Sequence, residues 1–143
     1  MRLAAHLLNR LLAFRWMASI FLLFLVDACN WLAFRPISMR HVFNHQDKYL
    51  HMLGFFGLAC TGHVVLHFDI FPRIRRFHIG LYGLNAAVWL SYGVFIEGMQ
   101  TLLTYRSGSM ADYLSDLSGL LAGMLFVATL KLYRQGAPPD GTR

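Results

Sequence analysis

Four apolar runs separated by shorter polar segments make up most of the chain. They cover roughly residues 16–34, 47–67, 79–100 and 112–132. A helix needs about 20 mostly apolar residues to cross the hydrocarbon layer of a bilayer, and each run is of that order. Pro36 follows the first run and Pro72 the second, and proline disfavours helical geometry in the residue before it. The pattern predicts an all-α fold class, an integral membrane bundle of four transmembrane helices.

Composition agrees with this prediction. Of the 143 residues, 57% are hydrophobic and 14% are charged, whereas about a quarter of a soluble domain is charged. We expect a single membrane domain over residues 1–134 and a flexible C-terminal tail over residues 135–143. The first run is longer than the apolar part of a secretory signal and lacks a cleavage site at its end, so we interpret it as a retained helix. Cys29 and Cys60 lack CxxC spacing, which favours a packing role for both.

The formal charge is +6. The positive-inside rule explains such a surplus in a membrane protein, so we expect the lipid bilayer and not a nucleic acid as partner. If the termini lie on one side of the membrane, nine basic residues share that side and four lie opposite, which predicts both termini in the cytoplasm. The nine are Arg2, Arg10, Arg15, Arg73, Arg75, Arg76, Lys131, Arg134 and Arg143, and the four are Arg35, Arg40, Lys48 and Arg106.

Polar residues gather at the ends of the runs that this topology places outside. Glu97 closes the third run, and Asp112 and Asp116 open the fourth one turn apart. Ionisable groups within apolar spans are costly, and by default they indicate a functional site. We therefore predict one outward-facing polar pocket. Its candidate catalytic residues are His51, Glu97, Arg106 and Asp112, and its candidate binding residues are Asp27, Arg40, Asp47, Lys48, Gln100 and Asp116.

Other motifs favour ordinary structural roles. Gly119 and Gly123 continue the face of Asp116, and this spacing of small residues allows close helix approach. His63 and His67, one turn apart at the inner end of the second run, are interpreted as interfacial residues.

A metal site is a weaker hypothesis. His41, His45, Asp47 and His51 form a stretch rich in possible ligands, and zinc accepts nitrogen and oxygen ligands of this kind. The spacing matches no recognised metal motif, so the sequence predicts no required cofactor. A divalent metal stays open as an alternative, with Asp112, Asp116 and His51 as its ligands. GxSxG, HExxH and Walker motifs are absent from the sequence.

Several of these residues occur in an order that resembles the VanZ-like family of small bacterial membrane proteins. The resemblance covers about residues 47–123 and consists of Asp47, Lys48 and His51, then Glu97 and Gln100, then Arg106, Asp112, Gly119 and Gly123. Asp116 stands where the family commonly has Asn, and Ser109 stands where an acidic residue often lies. The resemblance implies a four-helix protein of the bacterial inner membrane that acts on or near cell-envelope components. The family is named for a member associated with low-level resistance to the glycopeptide teicoplanin.

Three functions fit these residues. In the first, the pocket binds the head group of an envelope lipid or lipid-linked glycan: Arg106, Lys48 and Arg40 hold an anion, while the acidic residues and His51 bind sugars or amines. In the second, the protein is a hydrolase or transferase acting on a lipid phosphate, with His51 or Glu97 as general acid or base. In the third, the polar residues only hold the helices together. The sequence leaves open whether the protein is an enzyme.

Overall fold

The structure is a computed structural model that describes residues 16–35, 45–71, 78–103 and 109–136, of which residues 131–136 are described by their backbone alone. Four α-helices occupy this part of the chain. They are α1 (Met17–Phe34), α2 (Gln46–Val65), α3 (Ile79–Thr101) and α4 (Met110–Gly136).

All four helices are long and apolar enough to cross a membrane, α2 when taken together with the turn that follows it. The prediction of an all-α protein with four transmembrane helices is therefore confirmed. The predicted ends agree with the observed helix ends to about two residues, except that α4 continues to Gly136. Residues 135 and 136, predicted to belong to a flexible tail, thus lie in the helix. The segment Lys131–Gln135 contains good helix formers and no helix breaker, which explains the extension.

The second span ends in a π-helical turn, Leu66–Ile70. The carboxylate of Asp69 in this turn accepts a hydrogen bond from Ser19 near the start of α1. His63 lies on α2, one helical turn before this π-helical turn. The centroid of its ring is 4.3 Å from that of Tyr82 on α3. His63 is buried against α3, a packing contact that its interpretation as an interfacial residue did not include. It follows the fully buried Ala59 by one turn and therefore shares its inward face.

The most extensive helix pairing is between α2 and α4. It depends on two glycines of α4. A Cβ atom added at Gly119 would lie 2.0 Å from the backbone oxygen of Met52, and one added at Gly123 would lie 2.7 Å from that of Phe56. No real Cβ atom comes this close to a backbone oxygen, so only glycine permits the observed separation. This confirms the prediction that Gly119 and Gly123 allow close helix approach.

Buried polar groups attach α3 to α2. The side-chain amide of Asn85 donates a hydrogen bond to the backbone oxygen of Ala59 (2.9 Å) and accepts one from Nε1 of Trp89 (2.9 Å). Asn85 is 1% exposed. Only the bond to Ala59 joins two helices, while the bond from Trp89 orients the amide within α3. Interhelical hydrogen bonds contribute roughly 0.6–2 kcal/mol each in membrane proteins, so the bond to Ala59 helps fix the position of α3 on α2.

The first helix packs less tightly than the others, because Ala33 is its one buried residue. Hydrogen bonds from α3 hold its C-terminal half. The Tyr92 hydroxyl donates to Oδ1 of Asn30 (2.8 Å), and the Gln100 amide donates to the backbone oxygen of Ala33 (2.9 Å). α1 is therefore the least buried of the four helices.

Replacing Gly119 by alanine should destabilise the bundle strongly. The added methyl group collides with the backbone of α2, which cannot move aside as a flexible side chain would, and overpacking of this kind costs about 1–3 kcal/mol or more. The thermal unfolding midpoint of the purified protein in detergent measures the effect. Gly83→Ala is the matched control, because a Cβ atom at Gly83 meets nothing within 4 Å. Equal midpoints for the two variants would contradict the role assigned to Gly119.

Candidate functional site

A cluster of ionisable side chains lies where the start of α2, the end of α3 and the start of α4 meet. His51 of α2 is at its centre. Its Nδ1 atom lies 2.8 Å from Oδ1 of Asp116 on α4 and 4.0 Å from Oε1 of Glu97 on α3. Asp116 is 1% exposed, and the side chains of His51 and Glu97 are each 13% exposed. Three helices thus supply three interacting, largely buried polar groups.

Lys48 forms the outer edge of this cluster. Its Nζ atom lies 3.1 Å from Oδ1 of Asp112 and 3.3 Å from Oδ2 of Asp47. One third of the lysine side chain is exposed, whereas 11% of the Asp112 side chain is. Lys48 and His51 are three residues apart on α2 and therefore face the same way. The single lysine charge is already shared between two carboxylates, so it does not offset the charges deeper in the cluster.

Ser109 ties the start of α4 to the end of α3. Its backbone N–H donates a hydrogen bond to Oε2 of Glu97 (2.8 Å), and its hydroxyl oxygen accepts one from the backbone N–H of Asp112 (3.1 Å). Ser109 thereby caps the helix and positions Glu97 at the same time. Sequence reasoning missed this role and treated Ser109 as an ordinary loop residue. Its spacing of three residues before Asp112 is that of a helix-capping pair, and this signal could have identified it.

Two buried oxygens of the cluster have no hydrogen-bond partner among the described residues. They are Oε1 of Glu97 and Oδ2 of Asp116. A buried carboxylate oxygen without a donor is unfavourable by roughly 1–3 kcal/mol or more. The described cluster also contains more acidic than basic groups, with four carboxylates and two basic side chains, Lys48 and the titratable His51. The carboxylates are those of Asp47, Glu97, Asp112 and Asp116. The site is therefore chemically suited to a donor or a cation.

The structure brings together six of the predicted site residues, namely Asp47, Lys48, His51, Glu97, Asp112 and Asp116. Gln100 is buried but binds the backbone of α1, which makes it a packing residue. Asp27 was predicted at the site and is not there. It is exposed, because it shares the outer face of α1 with Phe24 and Trp31, one turn away on either side. Arg40 and Arg106 lie outside the described residues.

Three of these groups have the arrangement of potential metal ligands. One ligand atom each from His51, Glu97 and Asp112 lie within 4.8 Å of one another. Two of the three, His51 and Asp112, were predicted as ligands, and Glu97 takes the place given to Asp116. His45 is described and is not part of this group, and His41 is outside the described residues. Of the described residues in the ligand-rich stretch suggested by the sequence, His51 alone belongs to this group, and its two companions come from α3 and α4.

The fold and the site together define a multi-pass helical membrane protein with a buried acidic cluster around one histidine. No family model, curated protein or solved structure matches the chain. Function is therefore inferred from the chemistry of the site.

The ion pair between Lys48 and Asp112 should be energetically coupled. Lys48→Met leaves the mostly buried carboxylate of Asp112 without its cation, so it should destabilise the protein more than the same change does in an Asp112→Asn background. We expect a coupling energy of about 1 kcal/mol, since one partner is partly solvated. Chemical unfolding of the two single variants, the double variant and the wild type measures it. A coupling energy indistinguishable from zero would show that the contact does not stabilise the site.

Proposed function

We propose that this is a VanZ-like protein of the bacterial inner membrane whose polar cluster binds the head group of a cell-envelope lipid or a lipid-linked glycan. The observation that carries the proposal is a pair of buried carboxylate oxygens, on Glu97 and Asp116 beside His51, that receive no hydrogen bond from the described residues. Groups that are left unsatisfied within a membrane span are unfavourable for folding and are expected where they serve binding.

The described residues suit the hydroxyl- or amine-bearing part of such a head group. Ionised carboxylates only accept hydrogen bonds, and they pair well with hydroxyl groups and with amines. Lys48 is engaged by Asp47 and Asp112, so it contributes little positive charge for an anion. Contacts to a lipid phosphate are assigned to Arg40 and Arg106.

A purely structural role for the cluster agrees less well with the same observation. Buried ion pairs contribute little net stability even when they are fully satisfied. Here two oxygens are unsatisfied among the described residues, and four carboxylates share the region with one lysine. Such an arrangement stabilises a helix bundle poorly.

The second candidate is an enzyme that hydrolyses or transfers a group at a lipid phosphate. The 2.8 Å contact between His51 and the buried Asp116 favours it, because a carboxylate that orients a histidine is a recurrent arrangement for a general base. Ser109 is an unsuitable nucleophile, since its hydroxyl oxygen caps α4. Water activated by His51 would then be the attacking group, with Arg106 stabilising the charge that develops on the phosphate.

Ligand capture separates these candidates. The wild type, purified in lipid nanodiscs and incubated with a bacterial envelope-lipid extract, should retain a head-group-bearing lipid that mass spectrometry identifies. Glu97→Gln should retain at least tenfold less, a loss of about 1.4 kcal/mol. Asp27→Asn is the matched control, because it makes the same chemical change on the exposed face of α1 and should bind as the wild type does.

The same incubation reports on catalysis. A lipid product that forms with the wild type and not with His51→Gln would support the enzyme. Binding without any product would support the head-group-binding protein. Retention of no lipid together with no product, or equal retention by Glu97→Gln and the wild type together with no product, would contradict both candidates. Loss of low-level teicoplanin resistance with Glu97→Gln, in a strain where the wild type confers it, would connect the site to the resistance implied by the VanZ-like resemblance.

The proposed topology places the cluster on the outer side of the membrane, with both termini in the cytoplasm. Because the basic residues are divided nine to four, a C-terminal fluorescent protein that folds only in the cytoplasm should be bright. A phosphatase that is active only outside the cytoplasm should be inactive at the same position and active when inserted between α3 and α4. The reverse pattern would place the cluster on the cytoplasmic side and exclude ligands of the outer leaflet.

A further inference from the structure

We infer that His51, Glu97 and Asp112 bind one divalent transition-metal ion. The three residues come from α2, α3 and α4, and one ligand atom from each lies within 4.8 Å of the other two. Zinc binds nitrogen and carboxylate oxygen at about 2.0–2.2 Å, which places ligand atoms about 3–4 Å apart. Small side-chain rotations therefore suffice to bring the three groups onto a common ion.

The unpartnered oxygens are independent support for a cation. Oε1 of Glu97 is buried, receives no hydrogen bond from a described residue, and lies 4.0 Å from Nδ1 of His51. The other oxygen of Glu97 is held by the backbone of Ser109, so the carboxylate is fixed with one free electron-pair donor facing the histidine. Oδ2 of Asp116, a residue that is 1% exposed, is a second buried oxygen that has no donor within the described part of the chain. A metal ion would offset this excess of negative charge.

Asp116 acts through His51. Its Oδ1 atom lies 2.8 Å from Nδ1 of the ring. Metal-binding histidines commonly donate the N–H of the nitrogen that does not bind the metal to a carboxylate, which sets the ring orientation and raises the basicity of the ligand. Nδ1 then donates to Asp116, and Nε2 is the ring nitrogen that binds the ion. Asp116 is therefore assigned as a positioning residue. Lys48 contacts Oδ1 of Asp112 and makes no contact with the second oxygen of that carboxylate among the described interactions.

The ligand types indicate which ion binds. Imidazole suits zinc and related transition metals, whereas magnesium and calcium prefer all-oxygen sites. Three protein ligands leave one coordination position open, as in catalytic zinc sites and unlike structural ones. An oxygen of the lipid head group can occupy that position. This last step rests on the proposed function, while metal binding itself does not.

Zinc binding to the tag-free, full-length protein in nanodiscs tests the inference. After removal of metals with a chelator, equilibrium dialysis against Zn²⁺ should give about one bound ion per wild-type chain. His51→Gln, Glu97→Gln and Asp112→Asn should each weaken binding by more than tenfold, and Asp116→Asn by roughly 10–100-fold, as is usual for residues that orient a ligand.

Two control variants distinguish the site from adventitious binding. His67→Gln removes another histidine of the same span, and Asp27→Asn removes another carboxylate; both should bind zinc as the wild type does. Zinc should also raise the thermal unfolding midpoint of the wild type and leave that of Glu97→Gln unchanged, because only the wild type binds the ion in its folded state. Equal size-exclusion profiles without zinc establish that Glu97→Gln folds.

Absence of a stoichiometric ion in the wild type, or unaltered binding in the His51 and Glu97 variants, would overturn the inference. Zinc binding without capture of any lipid would uphold the metal site and refute the proposed function. Capture of lipid by a wild type that binds no zinc would refute the metal site and uphold the proposed function.

Discussion

The close contact between α2 and α4 is the constraint on which the rest of the site depends. At Gly119 the two backbones approach so closely that a Cβ atom would lie 2.0 Å from the carbonyl oxygen of Met52. Met52 follows His51, and Gly119 is one turn after Asp116. The same approach therefore brings the histidine to 2.8 Å from the carboxylate. A larger residue at position 119 would separate the helices and, with them, His51 and Asp116. The contact between these two side chains therefore depends on the close packing at Gly119.

Apolar burial alone does not define this arrangement. In a bilayer the lipid chains are as apolar as the side chains, so helices associate through close packing and through interhelical hydrogen bonds. Asn85, whose amide is oriented by Trp89 of the same helix, provides such a bond from α3 to α2, and Ser109, immediately before α4, provides one to Glu97 of α3. Glu97 is the residue that α3 contributes to the cluster, and the bonds of Asn85 and of Ser109 together fix its position. The backbone framework is thus well satisfied, whereas the acidic side chains that it holds are not.

The contrast between a hydrogen-bonded framework and unsatisfied acidic side chains indicates that the cluster is a binding site. Four carboxylates with one lysine and one histidine lie close together, and two of their buried oxygens lack donors among the described residues. Such a region is destabilising in the absence of a compensating partner. The carboxylates lack hydrogen-bond donors and positive charge. A head group rich in donors would supply the first and a metal ion the second, and both can bind together when the ion has an open coordination position.

The sequence by itself determined the number, type and approximate ends of the helices, because apolar run length is a local property that the bilayer thickness sets. It also identified most of the cluster, since Asp47, His51, Glu97, Asp112 and Asp116 are conspicuous within apolar spans. Tertiary structure decided which of these side chains meet. Asp27 is just as conspicuous, yet the rotation of α1 about its axis leaves it on the outer face. Gln100 shares the end of α3 with Glu97 but binds the backbone of α1, and His63 is buried against Tyr82. A side chain's direction depends on the neighbours that its helix packs against, which periodicity within one helix does not specify.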